Sequence, residues 1–188
     1  MNRSAVFRAI PGARGARALF GAALALAGCG PVVRPDGGKG LLPVGAMAPE
    51  LTGVAPDGTV TKLSDVRGHA AVVYFYPKDE TPGCTKEACA FRDTYGSYQA
   101  LHVTIFGVSH DSAESHAEFR AAHGLPFSLV ADEDSTISRA YGVSSTLGMA
   151  SRVTFLVGAD GRIARVWPDV DPGVHAKEVL AAVQAPAR

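Results

Sequence analysis

Apolar positions along the chain recur with two different periods, and the two alternate. Residues 70–77, AAVVYFYP, are an uninterrupted β-rich apolar run, the pattern of a strand buried on both faces. From residue 84 to about 99, Cys84, Ala88, Phe91, Tyr95 and Tyr98 recur in steps of four, three, four and three, which predicts a helix with one buried stripe. Residues 103–110, VTIFGVSH, read as a second buried strand. Residues 112–124 open on a serine cap, carry a glutamate close behind and end on glycine, the marks of a helix. A short strand over 127–132 and a short helix ending on Gly142 follow. Two strand-like runs over 152–167 flank Ala159-Asp160-Gly161, a hairpin turn signal, and residues 173–184 close with a helix. The order β-α-β-α-β-α-β-β-α predicts an α/β fold, a central mixed sheet flanked by helices, and a thioredoxin-like layout fits it.

The N-terminal segment has a different pattern. Four arginines, at positions 3, 8, 14 and 17, precede the apolar run Ala18–Gly28. That run falls short of the roughly 20 residues needed to cross a bilayer, and it fits the core of a secretory signal. It ends in Leu-Ala-Gly-Cys, which resembles the lipobox of bacterial lipoproteins. The resemblance implies cleavage after residue 28 and a lipidated Cys29, held stably by two or more acyl chains. Gly30 stands where an aspartate would favour the inner membrane, so the outer membrane is preferred. Residues 29–43, rich in Gly and Pro, are expected to form a flexible tether, and the folded domain to span 44–188.

Charge narrows the function. Without the four leader arginines the chain keeps 14 basic against 18 acidic residues, which argues against nucleic-acid binding. The six histidines show no tight ligand spacing, so neither a metal nor another cofactor is expected. His116 and His123, seven residues apart, read as a solvated helix face, and Asp132, Glu133 and Asp134 as a polar loop.

Three cysteines remain to be explained, and lipidation of Cys29 leaves Cys84 and Cys89 as a pair. Pro82 and Gly83 place Cys84 at a helix N-terminus, where free backbone N–H groups and the helix dipole favour the nucleophilic thiolate. Thr81 adds a hydroxyl beside it. Five residues along an intact helix separate two Cα atoms by about 8–9 Å. A disulfide needs less than about 7 Å. Cys84 and Cys89 can therefore join only after local unwinding. Oxidation of Cys84 by peroxide to a sulfenic acid, then condensation with Cys89, fits this constraint. A disulfide exchanger with C-x-x-C spacing does not need it.

Residues 74–93, YFYPKDETPGCTKEACAFRD, resemble the active-site segment of the peroxiredoxins, and more narrowly the bacterioferritin-comigratory-protein or peroxiredoxin Q subfamily. Pro77, Thr81 and Cys84 meet the P-x-x-x-[TS]-x-x-C motif, and Cys89 stands at the subfamily's resolving position. Arg152, in SRVTFLVGADGRI, matches the active-site arginine ahead of a late strand. GVSHDS (107–112) and FSLVADED (127–134) also look like family segments, so the resemblance runs from about Val44 to Val183. It implies a thiol peroxidase acting on hydrogen peroxide and organic hydroperoxides. Cys84 would be the nucleophile, Arg152 its electrostatic partner, Thr81 the group that orients the peroxide, Pro77 a shield against water and Cys89 the resolving thiol. It further implies recycling by a thioredoxin-like dithiol protein and a monomer. With the lipobox, it places the enzyme on the periplasmic side of the cell envelope. A membrane-tethered thioredoxin-like disulfide oxidoreductase and a non-enzymatic binding lipoprotein are the alternatives. A peroxide reaction faster than that of a free thiol separates the first reading from both.

Overall fold

The structure is a computed structural model that describes residues 32–185. Cys29 and the leader expected over 1–28 lie outside the described residues. Among these residues seven strands form one sheet in the order β2 (Val60–Lys62), β1 (Thr52–Val54), β5 (Ser128–Ala131), β4 (Thr104–Ser109), β3 (Ala71–Phe75), β8 (Val153–Val157), β9 (Ile163–Trp167). At its centre lie β3 (Ala71–Phe75), β4 (Thr104–Ser109) and β5 (Ser128–Ala131), mutually parallel. β8 (Val153–Val157) runs antiparallel to β3, with Tyr74 opposite Thr154, and β9 (Ile163–Trp167) pairs with β8 around the Asp160-Gly161 turn. All five residues of β3 are buried, as its unbroken apolar run requires.

Side-chain alternation along β3 sends Val72 and Tyr74 to one face and Ala71, Val73 and Phe75 to the other, which divides the core into two layers. Helices α1 (Pro82–Ala100) and α4 (His175–Gln184) cover the first layer, where Phe91 and Tyr98 meet Ala176 and Val179. Tyr98 Oη donates to Ala176 O at 2.6 Å. Helix α2 (Ala113–His123) starts at the expected cap, Ser112 Oγ accepting from Ser115 N, and ends on Gly124 at φ +59°. The short α3 (Thr136–Tyr141) packs Tyr141 onto Phe75 and Phe155 in the second layer.

Five features depart from the sequence-based expectation. A hairpin of β1 (Thr52–Val54) and β2 (Val60–Lys62) extends the sheet, and β6 (Ser145–Thr146) pairs with β7 (Met149–Ala150). Strands of two or three residues are too short to show a period. The tether expected over 29–43 is, from residue 32 onward, folded on itself, and its last residues pack on the domain. Val33 bridges Lys39, Arg34 Nη1 donates to Gly40 O at 2.9 Å, and Leu42 N donates to Tyr141 O at 2.9 Å. Leu42 is 5 % exposed and joins the second core layer, so packing onto the domain begins at about residue 40, ahead of residue 44. Turn hydrogen bonds and one apolar plug hold this segment, and neither leaves a periodic pattern. His116 is buried rather than solvated, and so is Asp132, whose carboxylate accepts from Ile137 N and Ser138 N ahead of α3.

Candidate active site

The site stands where β3 gives way to α1. Tyr76 N makes the last ladder-like bond, to Val108 O at 3.0 Å. Pro77, without an N–H, cannot extend the ladder. The chain turns through Lys78, Asp79 and Glu80, the last at φ +58°, and re-enters helix at Thr81. Thr81 is the cap residue and Pro82 the first residue of α1, the position where a proline's missing N–H goes unused. Cys84 is therefore in the first helical turn, where its own N–H and that of Gly83 precede the first intrahelical bond, Thr85 N to Thr81 O at 2.9 Å. Its side chain is buried.

Arg152 arrives from the residue preceding β8. Its Nη2 stands 3.2 Å from Cys84 Sγ, and its Nη1 forms a hydrogen-bonded ion pair with Glu87 Oε2. Gly83 lies directly beneath this guanidinium: a Cβ built there would be 3.4 Å from Arg152 Nη2, an ordinary contact. Burial lowers the Arg152 pKa, but Glu87 and Cys84 outweigh it and hold it above the ordinary value. The cation is permanent, and it is aimed at sulfur.

Glu87 lies one turn below Cys84 on the same buried stripe and is 0 % exposed. Among the described residues its Oε1 has no hydrogen-bond partner. Burial pushes its carboxyl up to about 7, against the downward pull of Arg152. The apolar reading of the stripe passed over this residue. A glutamate three positions after Cys84 falls on the buried face, and a buried carboxyl needs a cation. That was the available signal.

Thr81 Oγ1 donates to Lys78 O at 2.9 Å, so its lone pairs remain to accept a hydrogen. Pro77, just past the end of β3, is half-buried. Cys89 is half-buried in α1, and both it and Cys84 are free thiols within one continuous helix. The structure thus gathers Pro77, Thr81, Cys84 and Arg152 at one end of the sheet and keeps Cys89 on the same helix, unbonded. Among the described residues no group of three or more His, Cys, Asp or Glu is placed to hold a metal ion.

A helix N-terminus, a guanidinium on the sulfur and a neighbouring hydroxyl can stabilise a thiolate and hold a small oxygen substrate against it. Residues 44–166, more than half of the chain, match the AhpC/TSA family. The chain is similar to peroxiredoxin Bcp of Bacillus subtilis, 41 % identical over 73 % of this chain and 92 % of that protein. It is also similar to the chloroplastic peroxiredoxin Q of Oryza sativa subsp. japonica, 38 % identical over 75 % of this chain and 66 % of that one. Among solved structures, the bacterioferritin comigratory protein of Xanthomonas campestris superposes with a TM-score of 0.65 at 38 % identity, over 71 % of this chain and 90 % of that one. BcpB of Mycobacterium tuberculosis gives 0.69 at 28 % identity, over 77 % and 98 %. By matched family, by identity and by fold, the chain belongs to the AhpC/TSA family of peroxiredoxins, in its Bcp/peroxiredoxin Q subfamily.

Proposed function

We propose that the protein is a thiol peroxidase in which Cys84 attacks hydroperoxides and Cys89 resolves the product. The Arg152 guanidinium 3.2 Å from Cys84 Sγ carries this assignment. The Cys84 thiolate displaces alkoxide or hydroxide from the O–O bond. Sulfur gains one oxygen as sulfenic acid, and the leaving oxygen takes a proton. Arg152 stabilises the negative charge as it moves from sulfur to the departing oxygen. Thr81 accepts the hydrogen of the hydroperoxide O–H and aligns the bond for attack. The Cys89 thiol then displaces water from the sulfenic acid, forming a Cys84–Cys89 disulfide, and a dithiol protein of thioredoxin type reduces it. For this the first turns of α1 unwind, since an intact helix holds the two Cα atoms about 8–9 Å apart. Both cysteines belong to one helix, so a monomer suffices.

Alkyl peroxide reduction is described for the X. campestris relative, and organic hydroperoxides join hydrogen peroxide as proposed substrates here. The lipobox-like Leu-Ala-Gly-Cys supports an anchor at Cys29, on the periplasmic face of the envelope and preferentially on the outer membrane. The reductant then has to be an envelope dithiol, since that compartment is oxidising.

The test mixes fully reduced protein with one equivalent of hydrogen peroxide, follows thiol loss, and maps the product by mass spectrometry beside Cys84→Ser and Cys89→Ser. A fast reaction that needs Cys84 and ends in a Cys84–Cys89 disulfide is expected. A rate equal to that of a free thiol would refute the function. For the anchor, Cys29→Ser is expected to move the protein from the membrane to the soluble fraction.

A further inference from the structure

Two buried polar groups take no part in the chemistry above. Asp79 lies in the loop between β3 and α1, and His116 on α2 beside it. His116 Nδ1 is 2.8 Å from Asp79 Oδ2, and its Nε2 is 3.2 Å from Val130 O. One ring nitrogen thus faces a carboxylate and the other a backbone carbonyl. Asp79 also accepts from Tyr76 Oη and Ser115 Oγ, each at 2.7 Å. Burial pushes the Asp79 carboxyl up, but the bond and charge of His116, with the Tyr76 and Ser115 hydroxyls, hold it below the ordinary value.

The main chain of Asp79 is held as firmly. Its N–H donates to Asp111 Oδ2 at 2.8 Å, and that oxygen also accepts from Ser109 Oγ at 2.7 Å. This N–H belongs to the same planar peptide unit as the Lys78 carbonyl, and a trans peptide points the two in opposite directions. The Lys78 carbonyl is the acceptor of the Thr81 hydroxyl hydrogen. Asp111 and Thr81 thus grip opposite ends of one rigid plane, and the Asp79 side chain locks the residue that bears it. Glu80, next in the chain, sits at φ +58°, a conformation that persists only where its flanks are fixed.

We infer, on the peroxidase reading above, that His116, Asp79 and Asp111 are positioning residues for Thr81. By fixing the Lys78–Asp79 peptide they commit the single hydrogen of the Thr81 hydroxyl to Lys78 O. Thr81 then faces the hydroperoxide as an acceptor only. A peptide free to tilt would let the hydroxyl rotate and present its hydrogen instead. The neighbouring contact of His123 Nε2 with Glu80 Oε2, at 3.0 Å, involves an exposed carboxylate and contributes little to this alignment.

The experiment uses the full chain in a Cys89→Ser background. It compares the rate constants of Cys84 with hydrogen peroxide and with iodoacetamide, whose alkylation at carbon needs no acceptor from Thr81. His116→Leu and Asp111→Ala are expected to slow the peroxide reaction about 10-fold or more, as a misplaced positioning group does, and to leave iodoacetamide within about 2-fold. In Thr81→Val protein neither change should slow peroxide further, because coupled residues are not additive. Asp111→Asn keeps an acceptor for Asp79 N and should restore the rate, and His123→Ala should alter neither reaction. If His116→Leu does not fold, Asp111→Ala and its asparagine partner decide the matter. Parallel loss of both reactions, or an undiminished loss in Thr81→Val, would overturn the inference alone. A parent protein no faster than a free thiol would overturn the peroxidase function, and the inference with it.

Discussion

Replacing Glu87 by glutamine removes a carboxyl that the fold keeps from water, with one oxygen on Arg152 and the other without a partner among the described residues. Burial raises this carboxyl from 4.5 to about 7 despite the guanidinium beside it. Between those values the folded protein keeps a proton that the unfolded chain has released. Stability tied to Glu87 is therefore complete below about pH 4.5 and is lost as pH rises through about 7. At about 1.4 kcal/mol per pH unit, the whole interval is worth about 3 kcal/mol. Glutamine is neutral throughout and keeps an oxygen for Arg152 Nη1, so the variant provides the reference. The assay is urea unfolding of the reduced wild type and Glu87→Gln across this range. The two should be of similar stability at the acid end, and the variant should be ahead by about 3 kcal/mol near pH 8. A difference that stays flat with pH would refute the reasoning. A difference that grows in favour of the wild type would mean that the ionised pair with Arg152 stabilises the fold rather than burdening it.

Arg152→Met, measured by stopped flow, should lower the rate of Cys84 with hydrogen peroxide by about 10²- to 10³-fold, as loss of one charge-stabilising donor does. A fall below about 10-fold would remove Arg152 from the reaction. Leu42→Ala should destabilise the domain by about 2–3 kcal/mol in urea, since it empties part of a core position. A true tether residue would change stability by less than about 0.5 kcal/mol. Oxidation to the disulfide should speed hydrogen exchange across residues 84–92, and equal protection in both redox forms would exclude unwinding of α1.

Local chemistry made much of the fold legible. The alternation of buried strands with striped helices depends on short-range periodicity, and β3, α1, β4 and α2 stand within a few residues of where that periodicity ends. Pro82, Gly83 and the serine and glycine caps of α2 work through adjacent backbone groups, so their meaning survives without tertiary context. The β1–β2 hairpin was less visible, although Pro56-Asp57-Gly58 carries a turn signal and Gly58 adopts φ +82°. Its strands are three residues long and are stabilised by pairing, β1 against β5, rather than by a pattern of their own.

The sequence by itself determined where the two cysteines stand. The position of Cys84 in the first turn of a helix, and the five-residue step to Cys89 within it, are properties of one contiguous segment. Only the tertiary structure decided the charges around that pair. Arg152 reaches Cys84 across 68 residues because β8 lies antiparallel beside β3, and the same crossing gives the buried Glu87 its cation. His116 looks like a surface residue on its own helix and becomes an interior one because α2 packs it against the loop bearing Asp79. Hydrophobic periodicity tells which face of a segment leaves water. The charge state and partners of a polar group depend on which distant segment closes over it, and that is settled only when the layers pack.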